Sequence, residues 1–417
     1  MTQLLKLICN NSRRYSNIKR GVILGIETSC DDTGCAVVDT EGNILGEALN
    51  SQHLIHLKHG GIIPPIAQDL HRKNIENVVA DALKEANLSC NEVDAIATTV
   101  KPGLPLSLTI GTKYGKHLCR TYNKPFIPIH HMEAHALTAR MHDSTIEFPF
   151  LVLLISGGHC LLAIAQDVDK FLLMGQSFDD APGEVFDKMA RRLKLKDILE
   201  YSEMSGGQAI ECAASKATNP LEFNFTPTLL RYRDCNFSFA GNKNQCVRHI
   251  LAQERKHGLS PDAIIPGVNN LCAGLLLVMT RHLCHRVQRG MEYAALKHLI
   301  PSDRRTLVVS GGVACNNFVA AGLQVLCDGM EYKLARPPHK LCTDNGVMIA
   351  WNGIERWRAN KGITTDLDSI TIEKSSPLGE DVRKDVELAN IKPKWIKLTG
   401  LVNQNENVKK DVLQNNG

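Results

Sequence analysis

Two patterns of apolar and polar positions recur along the chain. From Val22 an apolar run, GVILGIE, breaks at the small and acidic stretch TSCDDT and resumes as GCAVVD. That predicts two strands joined by a tight turn, and EGN then reads as a hairpin turn into a third strand. In LHRKNIENVVADALKEANL the apolar residues Ile75, Val78, Val79, Ala82 and Leu83 share one face at helical spacing. VDAIATTV follows as a buried strand, LPLSLTIGTKYGKHLCRTYN as a helix and FIPIH as a strand. The same order then begins again. FPFLVLLISGGHCLLAIAQ reads as strand, glycine turn and strand, with a helical region after it. RTLVVSGGVACNNFVAAGLQVLC runs from a strand through glycines into a helix, and TDNGVMIAWNGIERWRAN is a further helix. Beyond about residue 360 the chain is polar and irregular, and NQNENVKKDVLQNNG reads as a disordered tail. Two α/β halves with one pattern predict a duplicated lobe.

Composition narrows this picture only slightly. At 417 residues the chain has room for two or three domains. Apolar content of 43 % and charged content of 22 % are those of an ordinary globular protein. The longest apolar runs are too short for a membrane span, which needs about 20 residues. A net charge of +4 permits a nucleic-acid partner without arguing for one. The fourteen cysteines include no C-x-x-C pair, which points to a reducing compartment and buried thiols. Residues 1–21 differ: Lys6, Arg13, Arg14, Lys19 and Arg20 precede the first acid, Glu27, and Leu4, Leu5, Leu7 and Ile8 give an apolar side. That is the composition of a mitochondrial transit peptide, the alternative being a plain basic tail.

Candidate chemistry lies in turns and in one histidine cluster. Three strand-flanked turns, Thr28 to Thr33, Ser156 to His159 and Ser310 to Asn316, are expected to converge on a nucleotide-type cleft. Glycine there lets backbone N–H groups approach phosphate oxygens. The stretch PIHHMEAHALTAR holds His130, His131 and His135. On a helix His131 and His135 share a face at i and i+4, and His130 points elsewhere. Such a pair offers a metal two imidazole nitrogens and needs a third ligand, for which the aspartate of CTDNG is the candidate. The metalloprotease motif H-E-x-x-H is not met, because Glu133 stands two residues after His131 and projects to the far side of the helix.

Taken together, GIETSCDDTGCAV, GGIIPPIAQDLH, HHMEAHA, ISGGH, DDAPGEVFDKMAR, FSFAG, SGGVACN and CTDNGVMIA resemble the TsaD family of tRNA threonylcarbamoyltransferases, in the same order over residues 22 to 357. The basic leader, GGIIPPIAQ and KPGLPLSL resemble its mitochondrial branch. The resemblance implies an α/β, actin-like (ASKHA) fold of two duplicated RNase H-like lobes with a cleft between them. On that basis residues 22–149 and 150–345 are the two lobes, 346–360 a return helix and 361–417 a C-terminal extension. It implies transfer of a threonylcarbamoyl group from threonylcarbamoyl-AMP to N6 of the adenosine beside the anticodon, in tRNAs reading codons that begin with A, in the mitochondrial matrix.

Carried over residue by residue, the resemblance implies one divalent metal ion per subunit, zinc or iron, on His131, His135 and Asp344. The substrate-binding positions fall on Leu154, Ile155, Ser156, Gly157, Gly158, Asp187, Gly207, Glu211 and Asn316, with threonylcarbamoyl-AMP or an ATP-type nucleotide in the cleft. Asp31 and Asp32 fall in the first phosphate-facing turn, as candidates for a general base or for orienting metal-bound water. The implied partners are tRNA and a separate synthase that supplies threonylcarbamoyl-AMP; a homodimer and no membrane are expected. Arg191, Arg192, Lys194, Lys196, Arg231, Arg233 and Lys243 are candidate phosphate contacts, against the plainer view of a solvated charged face. The chain departs from the family pattern at Lys101, at Asn242 and in the long loop before Gly207. Two other functions fit the fold: a kinase-like phosphotransferase, and a nucleotide-binding assembly subunit without chemistry of its own.

Overall fold

A computed structural model describes residues 21–59, 61–260, 262–398 and 401. The expected leader, Gly21 apart, and the expected tail from Asn403 lie outside them. The chain divides into two compact units. The first comprises residues 21–144 and 344–376; the second comprises 145–343 and the residues from 377 onward.

The first unit is built on a sheet of order β3-β2-β1-β4-β5: β1 Val22–Glu27, β2 Asp32–Asp39, β3 Ile44–Ser51, β4 Ala95–Lys101 and β5 Phe126–His130. β1, β2 and β3 form an antiparallel meander, while β4 and β5 run parallel to β1. The crossovers are helices. Helix α1, Pro64–Glu85, starts on two prolines, which suit a first turn whose N–H groups lack partners anyway. It buries Ala67, His71, Ile75, Val78, Val79 and Ala82 on β2 and β3. Helix α2, Pro105–Tyr122, follows β4, and helix α3, His131–Leu137, follows β5 directly.

A return helix, Gly346–Ala359, completes this unit by packing on β1 and β2. Close approach requires glycine here. A Cβ on Gly34 of β2 would lie 2.7 Å from the Gly346 nitrogen, inside van der Waals contact. Asn345 caps the helix by accepting from the Met348 N–H at 2.9 Å.

The second unit repeats the scheme. Its sheet has the order β10-β9-β6-β7-β8-β11: β6 Phe150–Ile155, β7 Cys160–Asp167, β8 Lys170–Gln176, β9 Thr306–Ser310, β10 Lys333–Ala335 and β11 Glu380–Asp381. β6, β7 and β8 are an antiparallel meander and β9 and β10 run parallel to β6, so the first unit's topology recurs with one added strand. β6 is buried along its whole length, as its unbroken FLVLLI requires. The helices are α4 Pro182–Arg192, α5 Gly206–Ser215, α6 Ala240–His257, α7 Val268–Leu296 and α8 Asn317–Met330.

Two features differ from the sequence expectation. β8 stands where only a helical region was expected, and the segment beyond residue 360 is more ordered than its polarity implies. Thr364 bridges to Phe126, while β11 pairs with β8 and the helix Arg383–Leu388 follows it. Sparse anchors suffice: Leu378, Val382, Val386 and Leu398 are buried among polar neighbours. The described cysteines form no disulfide and are buried except Cys30, Cys212 and Cys315, which are half-buried. Among the described residues, no helix is long and apolar enough to cross a membrane.

A candidate metal centre and a candidate substrate surface

The histidine cluster is positioned by the end of β5. His130 is the N-cap of α3, its Nδ1 accepting from the Met132 N–H at 3.2 Å. The helix then places His131 and His135 on one face, with ring centroids 4.7 Å apart and planes at 88°. Asp344, two residues before the return helix, meets them. Its Oδ1 lies 3.1 Å from His135 Nε2 and 3.4 Å from His131 Nε2. One ligand atom from each of the three lies within 4.8 Å of the others. The set is a possible metal site, and it lies wholly within the first unit. Glu133 turns away, as its spacing requires, and pairs with Arg356 at 2.6 Å.

Sequence reasoning missed the groups behind this set. Glu27, the last residue of β1, is fully buried. Its Oε2 accepts from His131 Nδ1 at 3.2 Å and from the Thr99 hydroxyl at 2.6 Å, and its Oε1 accepts from the Ser29 N–H. The available signal was an acid closing the otherwise apolar strand VILGIE. Because a carboxylate accepts, His131 carries a proton on Nδ1, and its Nε2 faces the Asp344 carboxylate. That contact is satisfied only by a proton or a cation. Burial opposes charge on His131, yet the carboxylates of Asp344 and Glu27 push it up to about 10. Burial likewise opposes ionisation of Asp344, and His131 and His135 hold it well below the usual range. Two imidazoles and a carboxylate, with a second carboxylate orienting one ring, are a donor set and support that fit a divalent metal. His135 Nδ1 has no hydrogen-bond partner among the described residues.

The acidic turn stands beside this set. His71, on α1, donates from Nε2 to the Cys30 carbonyl at 3.0 Å, so its Nδ1 accepts from the Thr33 hydroxyl at 2.7 Å. It thereby clamps the turn that carries Asp31 and Asp32. Burial raises Asp32 to about 7, with Asp31, Asp344 and Glu27 adding to the effect and a hydrogen bond from Ser51 opposing it.

The substrate-binding candidates belong to the second unit. Leu154 and Ile155 are core residues of β6, paired with Leu161 and Cys160 of β7. The Ser156 turn leaves β6 beside β9, whose Ser310 pairs with Leu154. Gly311, at φ +97°, lies against Ile155, a position a Cβ would clash with. Gly157 and Gly158 face open space, and the Gly183 N–H of α4 donates to the Ser156 carbonyl at 3.1 Å. Asp187, also on α4, accepts from the Gly206 N–H at 2.9 Å and so starts α5, where Gly207 lies. Glu211 Oε1 accepts from the Asn317 and Phe318 N–H groups at 2.8 and 3.3 Å, and burial raises its pKa. Asn316 caps α8 through Oδ1, while its buried Nδ2 has no partner among the described residues. A cavity of about 210 Å³ lies beside Glu211, walled by Ala214, Leu276, Leu277 and Phe318.

The departures find structural partners. Lys101 pairs with Glu373 at 3.1 Å, and buried Asn242 donates to the Thr226 carbonyl at 3.1 Å. Of the basic candidates, Arg192 is bidentate to Glu254, Lys194 donates to the Ala263 carbonyl, and Lys243 pairs with Asp180. Those three are engaged within the fold.

Comparison with known proteins gives the family of the chain. The sequence model of the TsaD family, described as tRNA N6-adenosine threonylcarbamoyltransferase, matches residues 43–351. The mitochondrial tRNA N6-adenosine threonylcarbamoyltransferase of Homo sapiens is 48 % identical over 90 % of this chain and 91 % of its own. A protein of Drosophila melanogaster named as the probable mitochondrial enzyme is 48 % identical over 93 % and 95 %. The Rhizobium johnstonii enzyme is 41 % identical over 80 % and 88 %. Among solved structures, HypF of T. kodakarensis covers 82 % of this chain and 48 % of its own at TM-score 0.50 and 11 % identity, a likeness of fold alone. The duplicated strand order is that of the actin-like α/β class. The chain belongs to the TsaD family of tRNA N6-adenosine threonylcarbamoyltransferases.

Proposed function

We propose that this protein transfers the threonylcarbamoyl group of threonylcarbamoyl-AMP to N6 of the adenosine beside the anticodon, in mitochondrial tRNAs reading codons that begin with A. Family membership supports the reaction, and the names of the relatives support the mitochondrial setting. The observation that carries the mechanism is the convergence of His131, His135 and Asp344 in front of Glu27. Those three residues would hold one zinc or ferrous ion, both of which accept two imidazoles and a carboxylate. When bound, such an ion supplies Lewis-acid stabilisation of negative charge on an acyl oxygen.

The remaining chemistry belongs to the chain's own groups. Glu27 fixes the His131 ring and its tautomer. Gly157 and Gly158 admit a phosphate or sugar to the backbone, since no side chain stands in the way. Asn316 Nδ2 is a buried donor awaiting an acceptor, which a nucleotide provides. Glu211 and Asp187 suit ribose or threonyl hydroxyl groups. The cavity beside Glu211 is smaller than the ~300–1,000 Å³ of a complete ligand pocket, so it takes one part of the adenylate. Leu154, Ile155 and Gly207 contribute backbone. Asp31 or Asp32 receives the proton that the attacking amine loses. The substrate comes from a separate synthase, and the working form is a homodimer.

The test is to incubate the purified chain with a threonylcarbamoyl-AMP source and unmodified tRNA, then weigh the nucleosides. Formation of the threonylcarbamoylated nucleoside is expected. Release of ADP coupled to a small-molecule acceptor would instead favour the phosphotransferase. Binding of nucleotide and metal without modified tRNA would favour the assembly subunit.

A further inference from the structure

The segment from Thr228 to Asp234 combines an exposed tip with support from two buried cations. Arg286 and Arg289 of α7 are 2 % and 1 % exposed. Arg286 donates to the carbonyls of Leu229, Tyr232 and Asp234, the last at 2.9 Å, and Arg289 donates to the Asp234 carbonyl at 2.6 Å. Arg289 is itself braced by the Ile391 carbonyl at 3.4 Å and by the Trp395 ring, 5.3 Å from its guanidinium carbon. Leu229 adopts φ +54°, and the Tyr232 N–H closes the turn on its carbonyl at 3.1 Å.

The outer side of this turn is unlike its base. Tyr232 is 57 % and Leu230 48 % exposed; Arg231 is exposed and Arg233 half-buried. Among the described residues no carboxylate pairs with Arg231 or Arg233. Asp234 and Glu292 are the acids near the two buried guanidiniums. Burying a guanidinium is costly, and a loop that merely connects two elements has no need of two. The outcome is a fixed turn that holds an aromatic ring out between two cations.

We infer that Leu230 to Arg233 is a contact surface for single-stranded RNA, with Tyr232 stacking on an unpaired base and Arg231 and Arg233 meeting phosphates. Aromatic stacking with flanking guanidiniums is how unpaired nucleotides are gripped. A protein partner fits less well, because two exposed apolar side chains make a small patch and the cores of protein interfaces are depleted of charge. The surface rests on the proposed function, since it places that reaction's RNA substrate, and it supplies what Arg192, Lys194 and Lys243, engaged elsewhere, do not.

The test uses the full metal-loaded chain and an unmodified tRNA transcript. Wild type, Tyr232→Ala, Tyr232→Phe and the double variant Arg231→Ala/Arg233→Ala are compared for tRNA affinity across a salt series. Removing two phosphate contacts is expected to flatten the slope of log affinity against log salt by roughly 1.5. Tyr232→Ala is expected to weaken binding roughly 5- to 100-fold, while Tyr232→Phe stays near wild type because the ring remains. KM for tRNA rises at constant kcat, and metal content and melting temperature do not change. Unaltered affinity and slope in both alanine variants would overturn the inference. So would altered self-association with unaltered tRNA binding, which would make the turn a protein interface. If wild type grips tRNA through this turn yet forms no modified nucleoside, the proposed transfer fails and the surface stands. If wild type modifies tRNA and the variants match it, the surface fails alone.

Discussion

Glu27 illustrates how much one side chain can organise. It ends an apolar strand, holds His131 from behind, and accepts from Thr99 and from the Ser29 backbone. Glu27→Gln keeps the shape but weakens the acceptor and frees the tautomer. Metal affinity is expected to fall about 10- to 100-fold, measured by competition with a chromogenic chelator, with the melting temperature little changed. His131→Ala or Asp344→Ala should remove the bound metal and abolish transfer while circular dichroism stays native; full turnover by a folded, metal-free double variant would refute the catalytic role. A second residue-scale prediction concerns pH. His71 and His282 are buried, and burial lowers both below the ordinary imidazole value. His282 accepts from the Ser238 N–H at 3.2 Å between Phe237 and Phe239. Where the folded pKa lies below the unfolded one, unfolding takes up protons. The stabilisation is therefore complete above about pH 6.5 and is lost as pH falls towards the folded values. The urea midpoint should drop from pH 7.5 to 5; a flat profile would contradict the neutral assignment.

Elements set where these residues go. The metal set depends on the return helix lying close to β2, a contact made by Gly34 and Gly346. Gly34→Ala adds one methyl where no space exists, which costs on the order of 1–3 kcal/mol or displaces the helix start. Asp344 moves with that start, so metal loading should fall more than stability does, read by metal analysis beside a thermal melt. The contrast with the sequence is instructive at this scale. The His131–His135 pair was legible because helical periodicity alone puts i and i+4 together. The aspartate was legible through its family motif. Glu27 was not, since its contact arises from the parallel order β1-β4-β5, which apolar runs do not reveal. Strand β8 and the strand Glu380–Asp381 escaped for a related reason: KFLLMGQ is short, and the latter is a two-residue edge pairing with no pattern of its own. The duplicated order of turns and strands was readable because both sheets carry their longest apolar runs at the same place in the repeat.

For the whole molecule, the parts of the proposed reaction fall in separate stretches of chain. The donor set lies in the first unit and the Ser156, Asp187, Glu211 and Asn316 surface in the second. Metal removal should therefore stop transfer without abolishing adenylate binding. Treating the protein with a chelator is expected to eliminate the modified nucleoside and leave nucleotide affinity within about two-fold, a change under ~0.5 kcal/mol, and one equivalent of metal should restore turnover. Joint loss of both functions would show that the ion also holds the fold together. The connectivity carries a further consequence for biogenesis. His135 and Asp344 are 209 residues apart, and residues 145–343 of the second unit are spelled out between them. A nascent chain halted anywhere in that interval owns the imidazoles but lacks the carboxylate. Acquisition of an ion by this set would thus be a late event, available only to polypeptides translated past Asp344, and the set would discriminate those from chains halted earlier.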